Sequence, residues 1–186
     1  MSKLTVTANG ISQTMGNSTN EKSGRVIRVT PTCSTTAYTS GDVFFNATEI
    51  PDAVRVRGGS AVIRNISLIN YDNEASIIDL IFHQTGGINL GTLNDQPDIS
   101  DANVKNLNII AHHEMASGDY MGLNSSVDSA VNLYTSGSSQ ADNNRHILIS
   151  ASEDSTSIYV SGMATDATNL GNATDVELVF CIDYLA

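Results

Sequence analysis

Apolar and polar residues alternate with a period of two along most of this chain, which is the pattern of strands rather than helices. The clearest stretch is 176–184. There Val176, Leu178, Phe180, Ile182 and Tyr184 fall on one face, and Glu177 and Asp183 fall on the other beside Val179 and Cys181. Such regularity predicts a strand inside a sheet. Val26-Ile27-Arg28-Val29-Thr30 reads as a strand stopped by Pro31, since proline cannot donate to a ladder. Val43-Phe44-Phe45 and Val54-Arg55-Val56-Arg57 follow, separated by a loop with Pro51. Gly58-Gly59 then predicts a two-residue hairpin turn, because tight primed turns need positive φ. Two longer strands, 61–71 and 76–83, carry apolar residues on both faces and are joined by the turn-rich Asp72-Asn73-Glu74. Further strand patterns lie at 107–111, 131–134, 147–149 and 157–160.

The period breaks at Pro97-Asp98-Ile99-Ser100-Asp101. Ser100 as a cap and Asp101 in a first turn predict one short helix near 100–106. Turn-rich residues surround Gly118 and Gly122, and 136–144 reads as an exposed loop. Residues 1–24 show brief alternation at Leu4, Val6 and Ala8, then a run from Asn17 to Gly24 with no apolar residue. A run of that kind cannot bury enough surface to order itself. The expected organisation is an N-terminal arm over 1–24, flexible or ordered by a partner, and one domain over 25–186. Ten or so short strands with a single helix describe an all-β fold, an antiparallel β-sandwich or a jelly-roll-like barrel. No fixed-period repeat, βαβ rhythm or G-x-G-x-x-G opening a helix is present.

Composition agrees. The 186 residues fit one domain; tryptophan is absent, and four phenylalanines accompany many Val, Ile, Thr, Ser, Asn and Gly. No apolar run reaches the roughly 18–20 residues that span a bilayer. The N-terminus lacks a hydrophobic signal core, so synthesis in the cytoplasm without export is expected. On that basis Cys33 and Cys181 are expected to stay reduced, and the sequons at Asn17, Asn46, Asn65, Asn124 and Asn172 are accidents of composition.

Charge changes the picture more. Residues 1–64 hold seven basic groups against four acidic ones, net +3, whereas 65–186 hold two against sixteen, net −14. A chain of net charge −11 repels phosphate and anionic lipid, so neither nucleic acid nor a membrane is an expected partner. The less acidic third is the candidate contact surface, or simply a less acidic end.

Candidate chemistry is sparse. In His112-His113-Glu114 the two imidazoles point to opposite faces of a strand and cannot easily share one ion. Asp95, Asp98 and Asp101 recur every third residue, which leaves calcium open, although the D-x-D-x-D-G loop is missing. No G-x-S-x-G is present, and scattered carboxylates do not define a glycosidase pair. No catalytic residue, metal site or cofactor is expected.

The run Thr36-Ala37-Tyr38-Thr39-Ser40-Gly41-Asp42-Val43-Phe44, then Ile50-Pro51, then Val54-Arg55-Val56-Arg57-Gly58-Gly59-Ser60-Ala61-Val62-Ile63 resembles a group of tailed-bacteriophage structural proteins. Ile77 to Phe82 and Ile99-Ser100-Asp101-Ala102-Asn103 continue the likeness. The resemblance implies a non-enzymatic β-sandwich on the virion, commonly a capsid decoration (cement) or head-fibre protein, often a homotrimer, that binds the major capsid protein. Arg25, Arg28, Arg55, Arg57 and Arg64 would be the candidate capsid or subunit contacts, through bidentate recognition of carboxylates; each could equally be a solvated strand-edge charge. The rival reading is a head-fibre or tail adhesin for host glycans, and a small β-sandwich glycan hydrolase is the weakest.

Overall fold

The computed structural model describes residues 4–8, 11–15, 23–72, 77–115, 120–122, 132–135 and 146–185. The 16–22 part of the arm, the turn at Asn73-Glu74, the surroundings of Gly118 and the loop at 136–144 lie outside them. The strands, in chain order, are β1 (Leu4–Ala8), β2 (Ile11–Met15), β3 (Gly24–Val29), β4 (Val43–Ile50), β5 (Ser60–Asn70) and β6 (Ile78–His83). After helix α1 (Asp101–Leu107) come β7 (Ile109–Glu114), β8 (Tyr120–Gly122), β9 (Asn132–Thr135), β10 (Ile147–Ser150), β11 (Ile158–Ala164) and β12 (Val176–Tyr184).

Within the arm, β1 pairs antiparallel with β2. Two sheets make the body. The first runs β3-β12-β5, with β10 and β9 sharing the far edge of β5 and β8 beyond β9; the second runs β4-β11-β6-β7. Every pairing is antiparallel. With β3, β4, β5, β6, β7, β10, β11 and β12 counted in order, one sheet holds strands 1-8-3-6 and the other 2-7-4-5. That is the connectivity of a double-sheet jelly roll, and the sheets do not close into a barrel.

The alternation in β12 places Val176, Leu178, Phe180 and Ile182 in the core between the sheets. Strand β5 explains its own mixed pattern. Cys181 faces Asn65 and Ile182 faces Ile63, so Arg64 is the extra residue of a β-bulge. The inward set therefore switches from Ala61 and Ile63 to Ile66 and Leu68, as one added residue must do where the side-chain period is two. In β6 both faces are covered for another reason. Leu80 and Phe82 point to the main core, while Ile81 joins a second cluster with Val43, Leu90, Leu107, Leu93, Ile99 and Met163. That cluster lies where the 84–108 segment crosses the outside of the second sheet. Asn46 pins the segment: its Nδ2 donates to the Gly91 carbonyl at 2.9 Å and its Oδ1 accepts from the Leu90 N–H at 2.9 Å. The expected helix is there, with Ser100 accepting from the Asn103 N–H at 3.3 Å.

One expected strand is absent. Residues 54–57 form bends and a turn instead. Ala53 and Val54 are buried, drawn into the end of the sandwich by the Val54 N–H bond to the Thr156 carbonyl at 3.0 Å. The apolar pattern there is a loop plugging the core. Gly58 does take positive φ, at 68°, as the third residue of a turn closed by the Gly59 N–H on the Val56 carbonyl at 2.9 Å. It does not join two paired strands, because β5 pairs with β12, β10 and β9.

Candidate functional site

The turn residues in 36–44 serve the fold. The Tyr38 hydroxyl donates to the Phe44 carbonyl at 2.9 Å and accepts from the Ser34 N–H. Asp42 accepts from the Thr39 N–H at 2.6 Å and the Thr39 hydroxyl at 3.0 Å. Burial pushes the Tyr38 hydroxyl up to about 12.

The five candidate arginines fall into two groups. Arg55 and Arg57 stand exposed on the turn after β4. Arg25, Arg28 and Arg64 belong to the first sheet, and each meets a carboxylate of its own chain: Asp52 at 2.6 Å, Glu177 at 3.0 Å and Asp183 at 2.7 Å. The Arg25 hydrogen bond holds the Asp52 carboxyl below its ordinary value. Exposed pairs of this kind contribute about 0–1 kcal/mol each. The larger effect of the Arg28–Glu177 and Arg64–Asp183 pairs is to cancel charge on one face.

That face is the outside of the first sheet. Val26 and Arg28 on β3, Glu177, Val179, Cys181 and Asp183 on β12, Val62 on β5 and Leu148 on β10 occupy its outward positions. Val26 is 59% exposed and Leu148 62%. An open depression of 260 Å³ at the bulge is lined by Gly24, Val26, Arg64, Cys181 and Asp183 among others. The second sheet is different, because the 84–108 segment and its cluster cover its outside. Reading arginines alone missed the apolar outward residues. Their signal was present in β12, where Val179 and Cys181 stand on the polar face.

The metal expectations separate in space. His112 faces Ile81 and His113 faces Leu80 across the ladder, which puts the imidazoles on opposite sides; His112 Nε2 lies 3.4 Å from Asp79. Among the described residues no three His, Cys, Asp or Glu side chains converge. Asp95 instead accepts from the Gln96 N–H at 2.8 Å, and Asp101 sits in the first turn of α1. Cys33 and Cys181 are free thiols, Cys33 in the core with its thiol pushed up to about 12 by burial, Cys181 on the outer face.

One buried polar pair was not expected from spacing. His83 is fully buried. Its Nδ1 lies 2.9 Å from the Thr85 carbonyl and its Nε2 3.0 Å from the Ser161 hydroxyl. Only Nδ1–H satisfies a carbonyl, so the neutral ring takes the Ser161 proton at Nε2. The contact resembles a nucleophile and its base, but the pair is sealed from solvent and a carbonyl occupies the place of an orienting carboxylate. Its consequence is a pH dependence. Burial lowers the His83 pKa below its ordinary 6.5, opposed by the Thr85 hydrogen bond. The unfolded chain therefore takes up a proton that the folded chain refuses. Stability from this residue is present above pH 6.5 and falls as pH drops from there toward the lower folded value. Urea unfolding midpoints across that window should decline for the native chain, and the decline should be shallower in His83→Asn. Equal slopes would refute the assignment.

No helix among the described residues is long and apolar enough to cross a membrane. No protein-family model matches the chain, and no curated protein matches it either.

Proposed function

We propose that this chain is a non-enzymatic virion structural protein, a decoration protein that binds the assembled major capsid protein of a phage head. The observation that carries this reading is the difference between the two outer faces of the sandwich. One sheet is capped by its own 84–108 segment, whereas the other presents Val26 and Leu148 among cancelled charges. A charge-balanced sheet face with two exposed apolar side chains suits a broad protein surface better than a small substrate, which needs a concave site with convergent polar groups. The depression of 220 Å³ is open and lined by no charged residue, and in the open one of 260 Å³ the Asp183 carboxylate is paired with Arg64. The jelly-roll connectivity agrees with the resemblance in 36–63.

The test is co-sedimentation of purified protein with undecorated capsids. Saturable, stoichiometric binding is expected, and no binding at any salt concentration would refute the proposal. Signal on a glycan array together with failure to bind capsids would favour the adhesin reading instead.

A further inference from the structure

We infer that the β1–β2 hairpin of one copy of this chain adds to the open edge of β3 in a second copy. The hairpin is amphipathic by its register. Leu4 faces Met15, Val6 faces Gln13 and Ala8 faces Ile11, while Thr5 faces Thr14 and Thr7 faces Ser12. Directly paired residues share a face of a sheet. One side therefore holds Leu4, Val6, Ala8, Ile11 and Met15 with Gln13, and the other holds only Ser and Thr. The two residues between Ala8 and Ile11 are Asn9-Gly10, the strongest short-range signal for a two-residue hairpin. Two strands with an apolar side are marginal in water unless a third strand or a packed layer covers them. Among the described residues this pair joins no strand of its own body.

The body offers an edge of matching length. Among the described residues β3, six residues long, pairs with β12 alone and makes no other backbone hydrogen bond. The edge strand β4 of the second sheet is engaged instead: the Val43 N–H donates to the Asp95 carbonyl at 2.9 Å, and the Asn94 N–H to the Val43 carbonyl at 3.0 Å. An open edge is a template for strand addition. Ile27 and Val29 of β3 belong to the core, so a hairpin strand laid beside them with its apolar side inward lengthens the same layer. Two observations select a second copy. Residues 1–22 carry Lys3 and Lys22 against Glu21, net +1, which leaves −12 on the rest of a chain of −11. The arm is thus drawn to an acidic body, whereas two bodies repel. Within its own chain the hairpin precedes β3 directly and is still not paired with it. A second copy carries the same open edge and the same hairpin, so exchange satisfies both at once.

Sedimentation velocity of the full chain at micromolar concentrations, without capsids, should show an oligomer. Val6→Pro, which removes a ladder donor from the hairpin, should raise the dissociation constant about tenfold or more while leaving the melting curve near that of the native chain. Cross-linking reads whose edge is filled. One preparation carries Ser12→Cys with Cys181→Ser, and another carries Val26→Cys with Cys181→Ser; Cys33 is buried in the core. Mixed at high dilution, concentrated and treated with a short bismaleimide, the two should give a product joining one chain of each kind. A monomer at every concentration, an oligomer indifferent to Val6→Pro, or no product in the mixture would overturn the inference. So would a link formed only within single chains that carry Ser12→Cys, Val26→Cys and Cys181→Ser together, since the hairpin then fills its own edge. The mixture decides the matter even if Val6→Pro misfolds. This contact does not rest on the decoration reading, and capsid binding is measured separately, so the two fail independently.

Discussion

Gly162→Ala should cost about 3 kcal/mol or more of stability, read as a fall in the urea midpoint with an unchanged slope. Gly162 lies in the middle of β11, paired with Leu80 of β6 on one side and Phe45 of β4 on the other. A Cβ at this position would sit 2.3 Å from Cε1 and 2.7 Å from Cδ1 of Phe45. The ring thus lies over the glycine and fills the space that a side chain would take, an aromatic rescue of a glycine across a strand pair. It has nowhere to retreat. Phe45 is fully buried and packs edge-on against Phe44, with ring centroids 6.1 Å apart. Phe45→Leu should also destabilise when made alone, yet the two changes together should cost less than their sum by about 1–2 kcal/mol. Strict additivity in that cycle would refute the close contact.

Phe180→Ala should have the next largest effect, about 3–5 kcal/mol. Phe180 is the centre of β12, facing Ile27 of β3 and Ile66 of β5 in the ladder. Its ring also crosses the gap between the sheets to meet Phe82 of β6 edge-on, at 6.0 Å and 77°. Truncation therefore opens a cavity where the two layers join, with packed strands on both sides that cannot collapse into it. For a chain of this size each kcal/mol lowers the melting temperature by about 2–4 °C, so a fall on the order of 10 °C is expected. Phe180→Leu keeps most of the volume and should lose about 1.5 kcal/mol or less. Similar losses for Ala and Leu would show that cavity formation is not the cause.

Local patterns were legible where the physics is local. The alternation of β12 and the Ser100 cap of α1 both appear as expected, because side-chain period and capping depend on residues a few positions apart. Residues 54–57 failed for a tertiary reason. Val54 plugs the end of the sandwich beside a backbone bond to Thr156 while Val56 stays exposed, and no short-range signal separates a plugging loop from a strand. The carboxylate partners of the sheet arginines were hidden similarly. Arg28 and Arg64 meet carboxylates 149 and 119 positions away, and that proximity exists only once the jelly roll has brought β3, β5 and β12 side by side. The bulge at Arg64 was hidden too, since an added residue reads in one dimension as a strand apolar on both faces. The outward placement of Val26 and Leu148 became visible only when strand order separated them from the core residues.

The strand order also governs how the molecule can be made. Among the described residues β3 pairs with β12 alone, and β12 lies between β3 and β5. While the chain emerges from a ribosome, β3 is among the first strands of the body to appear and has no ladder partner until residues 176–184 are out. The second sheet closes earlier, since β11 completes it. Synthesis therefore produces one finished layer facing one that is open along its middle, with Ile27 and Ile66 awaiting Phe180. Long-range pairing of this kind is slow and leaves apolar surface exposed in the meantime. Acidic charge spread over the nascent chain keeps such intermediates apart, so the same net charge that limits contact between finished copies also protects the unfinished ones.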